Sequence, residues 1–127
     1  MNEHTSGFGH AVPVLRMLDV PTTHEFYLDY LGFTVEWEHR FAPGMPLYTR
    51  IHRDHLVIDL SEHAGDGTPG SGIWVPVTDL HALHHELSTK NRPGRQPTID
   101  DHAPGGPTMA LMDPSTNVIR FCQPPNR

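Results

Sequence analysis

The chain has 127 residues and a formal net charge of -6 with the histidines neutral. This length suffices for one domain with its own hydrophobic core, and the negative charge argues against nucleic acid and anionic membrane surfaces as partners. An acidic surface would suit a cationic ligand, although many cytosolic proteins are mildly acidic. The single cysteine, Cys122, excludes an internal disulfide. Neither a signal-peptide core nor an apolar run of transmembrane length occurs, so we expect a cytoplasmic protein.

The first half of the chain predicts one strand, one helix and three further strands. Residues 11–18 have a strand pattern. Asp19 is suited to cap the helix that follows, and Gly32 is suited to end it. Three more strand patterns then occur in succession, with a tight turn between the last two at Arg53 and Asp54. These patterns cover residues 33–41, 46–53 and 55–63.

The last of these patterns, HLVIDLSEH over residues 55–63, contains four side chains of metal-ligand type. Its alternation places three aliphatic residues on one face and His55, Asp59 and Ser61 on the other. His55 and Asp59 are about 13 Å apart along a strand that rises about 3.3 Å per residue, whereas metal–ligand bonds measure about 2.0–2.2 Å. The strand can therefore give a metal one ligand, Asp59.

The second half of the chain repeats the plan of the first. After a linker over residues 64–71, residues 72–77 predict a strand, and Asp79 caps a helix whose leucines share one face. Weaker strand patterns follow over residues 97–100, 107–112 and 117–123. We therefore predict a single α+β domain over residues 1–127 that contains two βαβββ modules, about 11–63 and 72–123. Each helix would cover one face of its sheet, and the other faces would form an open, cupped cleft.

Three segments of the sequence resemble a known family: VPVLRMLDVPTTHEFYLDYLGF, WVPVTDLHALHHEL and MDPSTNVIRF. Their order and spacing, over about residues 11–123, resemble the vicinal oxygen chelate superfamily of glyoxalases, extradiol dioxygenases and bleomycin-resistance proteins. The opening AVPVL, the EFY and LGF groups and the closing DP–N–F pattern resemble the bleomycin-resistance branch most closely. The resemblance implies the two-module fold and, as in that branch, a homodimer whose N-terminal strand crosses to the partner near Pro13.

The resemblance also bears on metal binding. Enzymes of the superfamily hold a divalent metal with four ligands, and the matching positions here are Val12, Gly72, Asp59 and Arg120. Valine and glycine offer no side-chain ligand, and arginine would repel a cation. Only Asp59 could bind a metal, so we expect neither a metal site nor another cofactor.

Strand alternation nominates the residues that would line the cleft. Core packing is the alternative for Trp74, and an internal ion pair with Arg120 or Arg16 is the alternative for Asp59. Whether Trp37 faces the cleft or the core is left open, because alternation groups it with the apolar residues that precede it on its strand. The candidate ligand-binding residues are Trp74, Asp59, Trp37, Arg120, Ser61, Val14 and His55.

Three functions are compatible with these residues. The first is non-catalytic binding and sequestration of a bleomycin-type or other aromatic, cationic natural product, which would give antibiotic resistance. The second is a metal-dependent lyase or dioxygenase, which needs two or three ligands where this chain offers one. The third is a metal-free enzyme of small-molecule biosynthesis that uses Asp59 or a histidine as acid and base. The lone ligand position disfavours the metal-dependent enzyme, whereas the sequence does not exclude the metal-free one. Of the three functions we favour the binding protein, with a small molecule as its partner.

Overall fold

The computed structural model describes residues 6–90, 92 and 96–125. The first module forms a four-stranded sheet, called sheet 1, in the order β1-β4-β3-β2. β1 runs parallel to β4, and the other neighbours are antiparallel. The helix α1 is α-helical over Val20–His24 and continues with π-helical hydrogen bonding over Glu25–Tyr30. The strands are β1 Val14–Arg16, β2 Thr34–His39, β3 Tyr48–Arg53 and β4 Leu56–Ser61.

The second module repeats this plan with one strand fewer. Its sheet, called sheet 2, has the order β5-β7-β6, with β5 parallel to β7. The elements are β5 Gly72–Pro76, α2 Leu80–Ser88, β6 Thr108–Met112 and β7 Val118–Cys122. The predicted α+β fold class is therefore confirmed, with each module built as a strand, a helix and a return to the same sheet. None of the helices in the described residues is long and apolar enough to cross a membrane.

Two predicted strands are reduced to less than half of their predicted length in the structure. The pattern over residues 11–18 forms a strand only over Val14–Arg16. The pattern over residues 97–100 pairs at a single position, where Asp100 bridges Thr108. Pro97 has no N–H to donate to a sheet, and its carbonyl oxygen lies 2.9 Å from Nε2 of His84 on α2. This segment is thus held by the helix at Pro97 and by β6 at Asp100 alone.

The helix ends follow the predicted capping residues. The carboxylate of Asp19 accepts the Thr22 N–H at 3.0 Å, and that of Asp79 accepts the Ala82 N–H at 3.0 Å. Each bond satisfies an amide that the first helical turn would otherwise leave unpaired. Gly32 follows α1 with a φ of 74°, the left-handed conformation that glycine adopts at little cost. The predicted starts of both helices and the end of α1 are therefore confirmed.

Both modules contribute to one hydrophobic core. Its buried apolar side chains come from both sheets and both helices. The fully buried members with the largest side chains are Tyr27, Met17, Leu31, Ile51, Ile58, Leu60, Leu80, Leu87, Met109 and Ile119. The core covers one face of each sheet, which leaves the opposite faces, called the open faces, outside it. The exposed side chains of Trp37 on β2 and Trp74 on β5 lie on these open faces.

A buried hydrogen-bond network joins α1 to the turn between β6 and β7. Asp113 accepts the backbone N–H groups of Ser115 and Asn117 at 2.8 and 2.9 Å. Its second oxygen accepts the Tyr27 hydroxyl at 2.7 Å and the Asn117 side-chain amide at 3.0 Å. That amide also donates to the Arg16 carbonyl at 3.0 Å. Because a buried polar group without a partner is costly, this network fixes the two modules against each other.

We predict that Tyr27→Phe lowers the free energy of unfolding by about 1–2 kcal/mol, because it removes one hydrogen bond to a buried carboxylate. Asp113→Ala should cost about 3 kcal/mol or more, since it leaves several buried donors without an acceptor. Urea unfolding followed by circular dichroism measures both values. Equal stability of Tyr27→Phe and the unchanged chain would show that the network does not hold the modules together.

Candidate functional site

The open face of sheet 1 centres on Asp59, which is 2% exposed. The strand register places Arg50 of β3 directly opposite it. Arg50 donates from Nε to Oδ1 at 2.7 Å and from Nη2 to Oδ2 at 3.0 Å. The Tyr48 hydroxyl donates to Oδ2 at 2.5 Å. Both carboxylate oxygens are thus occupied by donors from the neighbouring strand.

These contacts keep Asp59 ionised. Burial acts to raise the pKa of Asp59, but hydrogen bonds from Arg50 and Tyr48 and the charge of Arg50 outweigh it and lower the pKa. Burial, together with the hydrogen bond to Asp59, raises the pKa of Tyr48 to about 12. A general base for neutral pH needs a pKa near 7 and a free lone pair aimed at its substrate. The pKa of Asp59 is lowered instead, and its buried carboxylate already accepts three hydrogen bonds, so the geometry gives it a structural role.

Aromatic rings surround the Arg50–Asp59 pair. The rings of Trp37 and Tyr48 stack with centroids 5.7 Å apart and planes 11° from parallel. The Arg50 guanidinium carbon lies 5.0 Å from the Trp37 ring centroid, within range of a cation–π attraction. Trp37 reaches this face because a bulge between Val35 and Trp37 shifts the register of β2. Simple alternation, which groups Trp37 with the apolar residues before it, fails at this bulge.

The partner of Asp59 differs from both predicted partners. Neither Arg120 nor Arg16 pairs with it. Arg120 lies on β7 of the other sheet, and Arg16 donates to the Met17 carbonyl at 2.8 Å. Sequence reasoning missed Arg50 and Tyr48. The predicted turn between β3 and β4 was centred on Arg53 and Asp54. A two-residue turn centred one position later places Arg50 opposite Asp59, so the choice of turn was the sequence signal for Arg50.

The other candidate ligand-binding residues of the first module do not all lie near Asp59. Val14 lies opposite Asp59 in the register and is half-buried. Ser61 is fully buried, and its hydroxyl donates to Asp66 at 2.8 Å. His55 is exposed in the turn before β4 and lines a separate groove of about 600 Å³ between the modules. It therefore does not share the surroundings of Asp59.

The open face of sheet 2 carries Trp74 and Arg120 side by side. The two residues are register partners on β5 and β7, and Trp74 is 51% exposed. They line a cleft of about 520 Å³ together with Asp100, Thr108, Ala110 and nearby loop residues. The structure thus places the two predicted aromatic residues, Trp37 and Trp74, on the open faces of different sheets.

The side chains at the superfamily's metal positions do not fit a metal. Val12 and Gly72 have no donor atom, Arg120 is a cation, and both oxygens of Asp59 are taken by Arg50 and Tyr48. Within residues 6–90, 92 and 96–125, no group of three or more His, Cys, Asp or Glu side chains could hold a metal ion. Divalent metals of this kind need several N, O or S ligands at one point. We therefore assign no step to a metal.

The sequence matches a family profile described as glyoxalase superfamily protein over residues 3–127. The chain belongs to the glyoxalase superfamily. A similar solved structure is a bleomycin-binding protein from bleomycin-producing Streptomyces verticillus, complexed with copper(II)-bleomycin. It is 27% identical with a TM-score of 0.71, and the alignment covers 95% of this chain and 100% of that one. Among curated proteins, none matches this sequence.

Two more distant structures share the fold alone. An antibiotic-binding protein from Streptomyces sp. CB03234 is 17% identical with a TM-score of 0.70, covering 96% of this chain and 100% of that one. Glyoxalase I of Leishmania major is 16% identical with a TM-score of 0.62, covering 91% of this chain and 87% of that one. Binding proteins and enzymes thus share this scaffold, and function must be decided from the side chains.

We predict that Asp59→Asn lowers the free energy of unfolding by about 2 kcal/mol at pH 7, because it weakens charged hydrogen bonds to a buried carboxylate. The pKa of Asp59 in the folded chain lies below its unfolded value of about 3.9. Its stabilising contribution is therefore complete above about pH 4 and is lost as the pH falls through the folded pKa.

The difference between Asp59→Asn and the unchanged chain should accordingly shrink below about pH 4. Urea unfolding at several pH values measures it. Asp54→Asn is the control, because Asp54 is exposed in a turn and its φ of 51° suits asparagine. A difference that stays constant down to the acid limit of folding would refute the ionised pair.

Proposed function

We propose that this protein binds an aromatic natural product on its open sheet faces and releases it chemically unchanged. The observation that carries the proposal is the exposure of a tryptophan on each open face, 40% for Trp37 and 51% for Trp74. Large aromatic rings in a soluble protein are seldom left exposed beside an apolar surface unless something covers them. A flat ligand ring could stack on either tryptophan.

Bleomycin-type compounds are the first ligands to test. The similarity to a copper(II)-bleomycin complex at 27% identity over nearly the whole chain supports this choice. By binding the compound tightly, the protein would sequester it and give resistance. The net charge of -6 favours the approach of a cationic compound. Asp59 adds little to that attraction, since Arg50 neutralises its charge.

The enzyme alternatives have weaker support in the side chains. A metal-dependent lyase or dioxygenase needs a ligand set that Val12, Gly72 and Arg120 do not supply. A metal-free enzyme that uses Asp59 needs a carboxylate that is accessible and has a pKa near 7, whereas Asp59 is buried and the hydrogen bonds from Arg50 and Tyr48 lower its pKa. Recovery of the ligand after binding separates these alternatives from sequestration.

We also propose that the protein forms a homodimer with two equivalent clefts. In the described part of the chain, residues 6–13 belong to no strand, and the side chain of Phe8 is 96% exposed. A segment of this kind would gain apolar burial by crossing to a second copy near Pro13. The two open faces, which lie on separate sheets, would then each meet a face of the partner.

We predict that copper(II)-bleomycin or the metal-free drug binds with a stoichiometry of one per chain and is recovered with unchanged mass. Trp74→Ala and Trp37→Ala should each weaken binding by about 1–3 kcal/mol, the range expected of aromatic anchors. Phe41→Ala is the matched control, because Phe41 is 76% exposed but follows the end of β2. Calorimetry measures affinity, and mass spectrometry examines the ligand.

Turnover of the drug would replace the binding proposal with an enzyme. Equal affinities in the two tryptophan variants and the unchanged chain would show that the open faces do not bind it. If bleomycin fails to bind, a thermal-shift screen of other aromatic natural products decides whether the open faces bind any such compound.

We predict that sedimentation equilibrium at micromolar concentration gives twice the 14.3 kDa chain mass. Phe8→Ser should shift the equilibrium towards the monomer, because it removes the apolar side chain that the partner would cover. Leu18→Ser is the control, since Leu18 is 56% exposed outside the N-terminal segment. A monomer at these concentrations would refute the dimer.

A further inference from the structure

The three strands of sheet 2 place one charged side chain on the open face, that of Arg120. All strand positions of this sheet are described, so the set of residues on the face is complete. The register surrounds Arg120 with Trp74 on β5 and Ala110 on β6. The side chains on this face are those of Trp74, Pro76, Thr108, Ala110, Met112, Val118, Arg120 and Cys122, and Gly72 adds bare backbone.

Arg120 differs from the other described arginines in having no partner. Arg50 pairs with Asp59, Arg53 with Glu86, Arg40 with Glu62 and Arg92 with Glu25, while Arg16 donates to backbone carbonyls. Arg120 makes no hydrogen bond or ion pair with the part of the chain that the structure describes. Its guanidinium therefore has five N–H donors available to a ligand.

The cleft is also shaped around this guanidinium. A Cβ placed on Gly72 would lie 3.3 Å from Nη1 of Arg120, closer than ordinary contact. The φ of Gly72 is not in the left-handed region, so the backbone alone does not require glycine there. The missing side chain instead leaves room for Arg120 beside Trp74. The one carboxylate in the cleft, Asp100, accepts the His102 N–H at 2.9 Å.

We infer that this cleft binds the anionic group of an aromatic ligand, such as a carboxylate or sulfonate attached to a flat ring. Arg120 would hold the anion through paired N–H donors, which match the geometry of two oxygens. Trp74 would stack on the ring that carries the anion. This inference rests on the proposed function. It specifies which group of the aromatic ligand lies in this cleft, because a cationic group placed there would be repelled by Arg120.

The surroundings of Trp37 on sheet 1 offer no comparable anion site. Its exposed aromatic residue, Trp37, lies under the guanidinium of Arg50, but that guanidinium already pairs with Asp59. A ligand ring at Trp37 therefore meets a neutral ion pair, whereas a ring at Trp74 meets a cation that pairs with none of the described residues. The two tryptophans thus differ in the charge that lies beside them.

Two fluorescent probes of one ring skeleton test the inference. Anilinonaphthalene sulfonate carries the anion, and N-phenylnaphthylamine is the same aromatic skeleton without it. We expect the folded chain to bind the sulfonate more tightly. Arg120→Gln should weaken sulfonate binding about 10- to 100-fold, the range for a charged hydrogen bond, and leave binding of the neutral probe within about twofold.

Two further variants complete the test. Gly72→Ala should weaken binding of the sulfonate while sparing the neutral probe, since the added methyl group crowds the guanidinium. Arg40→Gln is the matched control, because it removes the same charge outside the cleft. Unfolding by urea should show Arg120→Gln to be as stable as the unchanged chain, since Arg120 contacts no described partner.

The outcomes separate this inference from the proposed function. Equal binding of both probes, with Trp74→Ala weakening both and Arg120→Gln neither, would overturn the anion site and leave aromatic binding intact. Tighter binding of copper(II)-bleomycin by Arg120→Gln would also overturn the anion site and leave aromatic binding intact. If Trp74→Ala changes the binding of neither probe, the cleft is not where they bind, and both aromatic binding in the cleft and the anion site are refuted.

Discussion

The buried, ionised carboxylate of Asp59 is the constraint on which the rest of sheet 1 depends. A charge with 2% exposure must be neutralised within the protein, and Arg50 and Tyr48 meet this need from the neighbouring strand. Their side chains are thereby held in place. Tyr48 then supports the ring of Trp37 from one side, and Arg50 lies over it. The aromatic surface offered to a ligand is thus built on an internal ion pair.

The same pair narrows the chemistry that this chain can perform. A buried carboxylate with a lowered pKa, bound by a bidentate arginine and a tyrosine, is poorly suited to act as a general base at neutral pH. The glyoxalase superfamily scaffold is retained, with two related modules and a shared core, while the side chains that would hold a metal are missing. Binding and catalysis on this scaffold are therefore distinguished by a few strand positions and not by the fold.

The two modules are alike in plan but different in the surfaces they expose. Sheet 1 has stacked aromatic rings beside a neutralised charge, and sheet 2 has one tryptophan beside an arginine that pairs with none of the described residues. The loss of a full strand in the second module contributes to this difference, because residues 101–107 fold as a loop beside Trp74 and help to close the cleft. The weakest strand pattern in the sequence thus corresponds to part of the cleft wall in the structure.

The sequence by itself determined the features that depend on local physics. The helix starts are marked by Asp19 and Asp79, whose carboxylates accept a backbone N–H of the first turn, and the end of α1 is marked by Gly32, which adopts a positive φ at little cost. The aliphatic alternation of β4 identifies its core face. The α+β class and the repeat follow from these patterns. The sequence alone also shows that Val12, Gly72 and Arg120 have no metal-ligating side chain.

Only the tertiary structure decided which residues meet. The partner of Asp59 depended on a turn centre that differs by one residue from the predicted one, and such a shift changes every cross-strand neighbour. Trp37 reached the open face through a bulge that no alternation rule foresees. Arg120 does not pair with Asp59, because β7 belongs to the other sheet, and it pairs with none of the other described residues. Contacts between strands depend on register and packing across the whole chain, which local residue patterns do not encode.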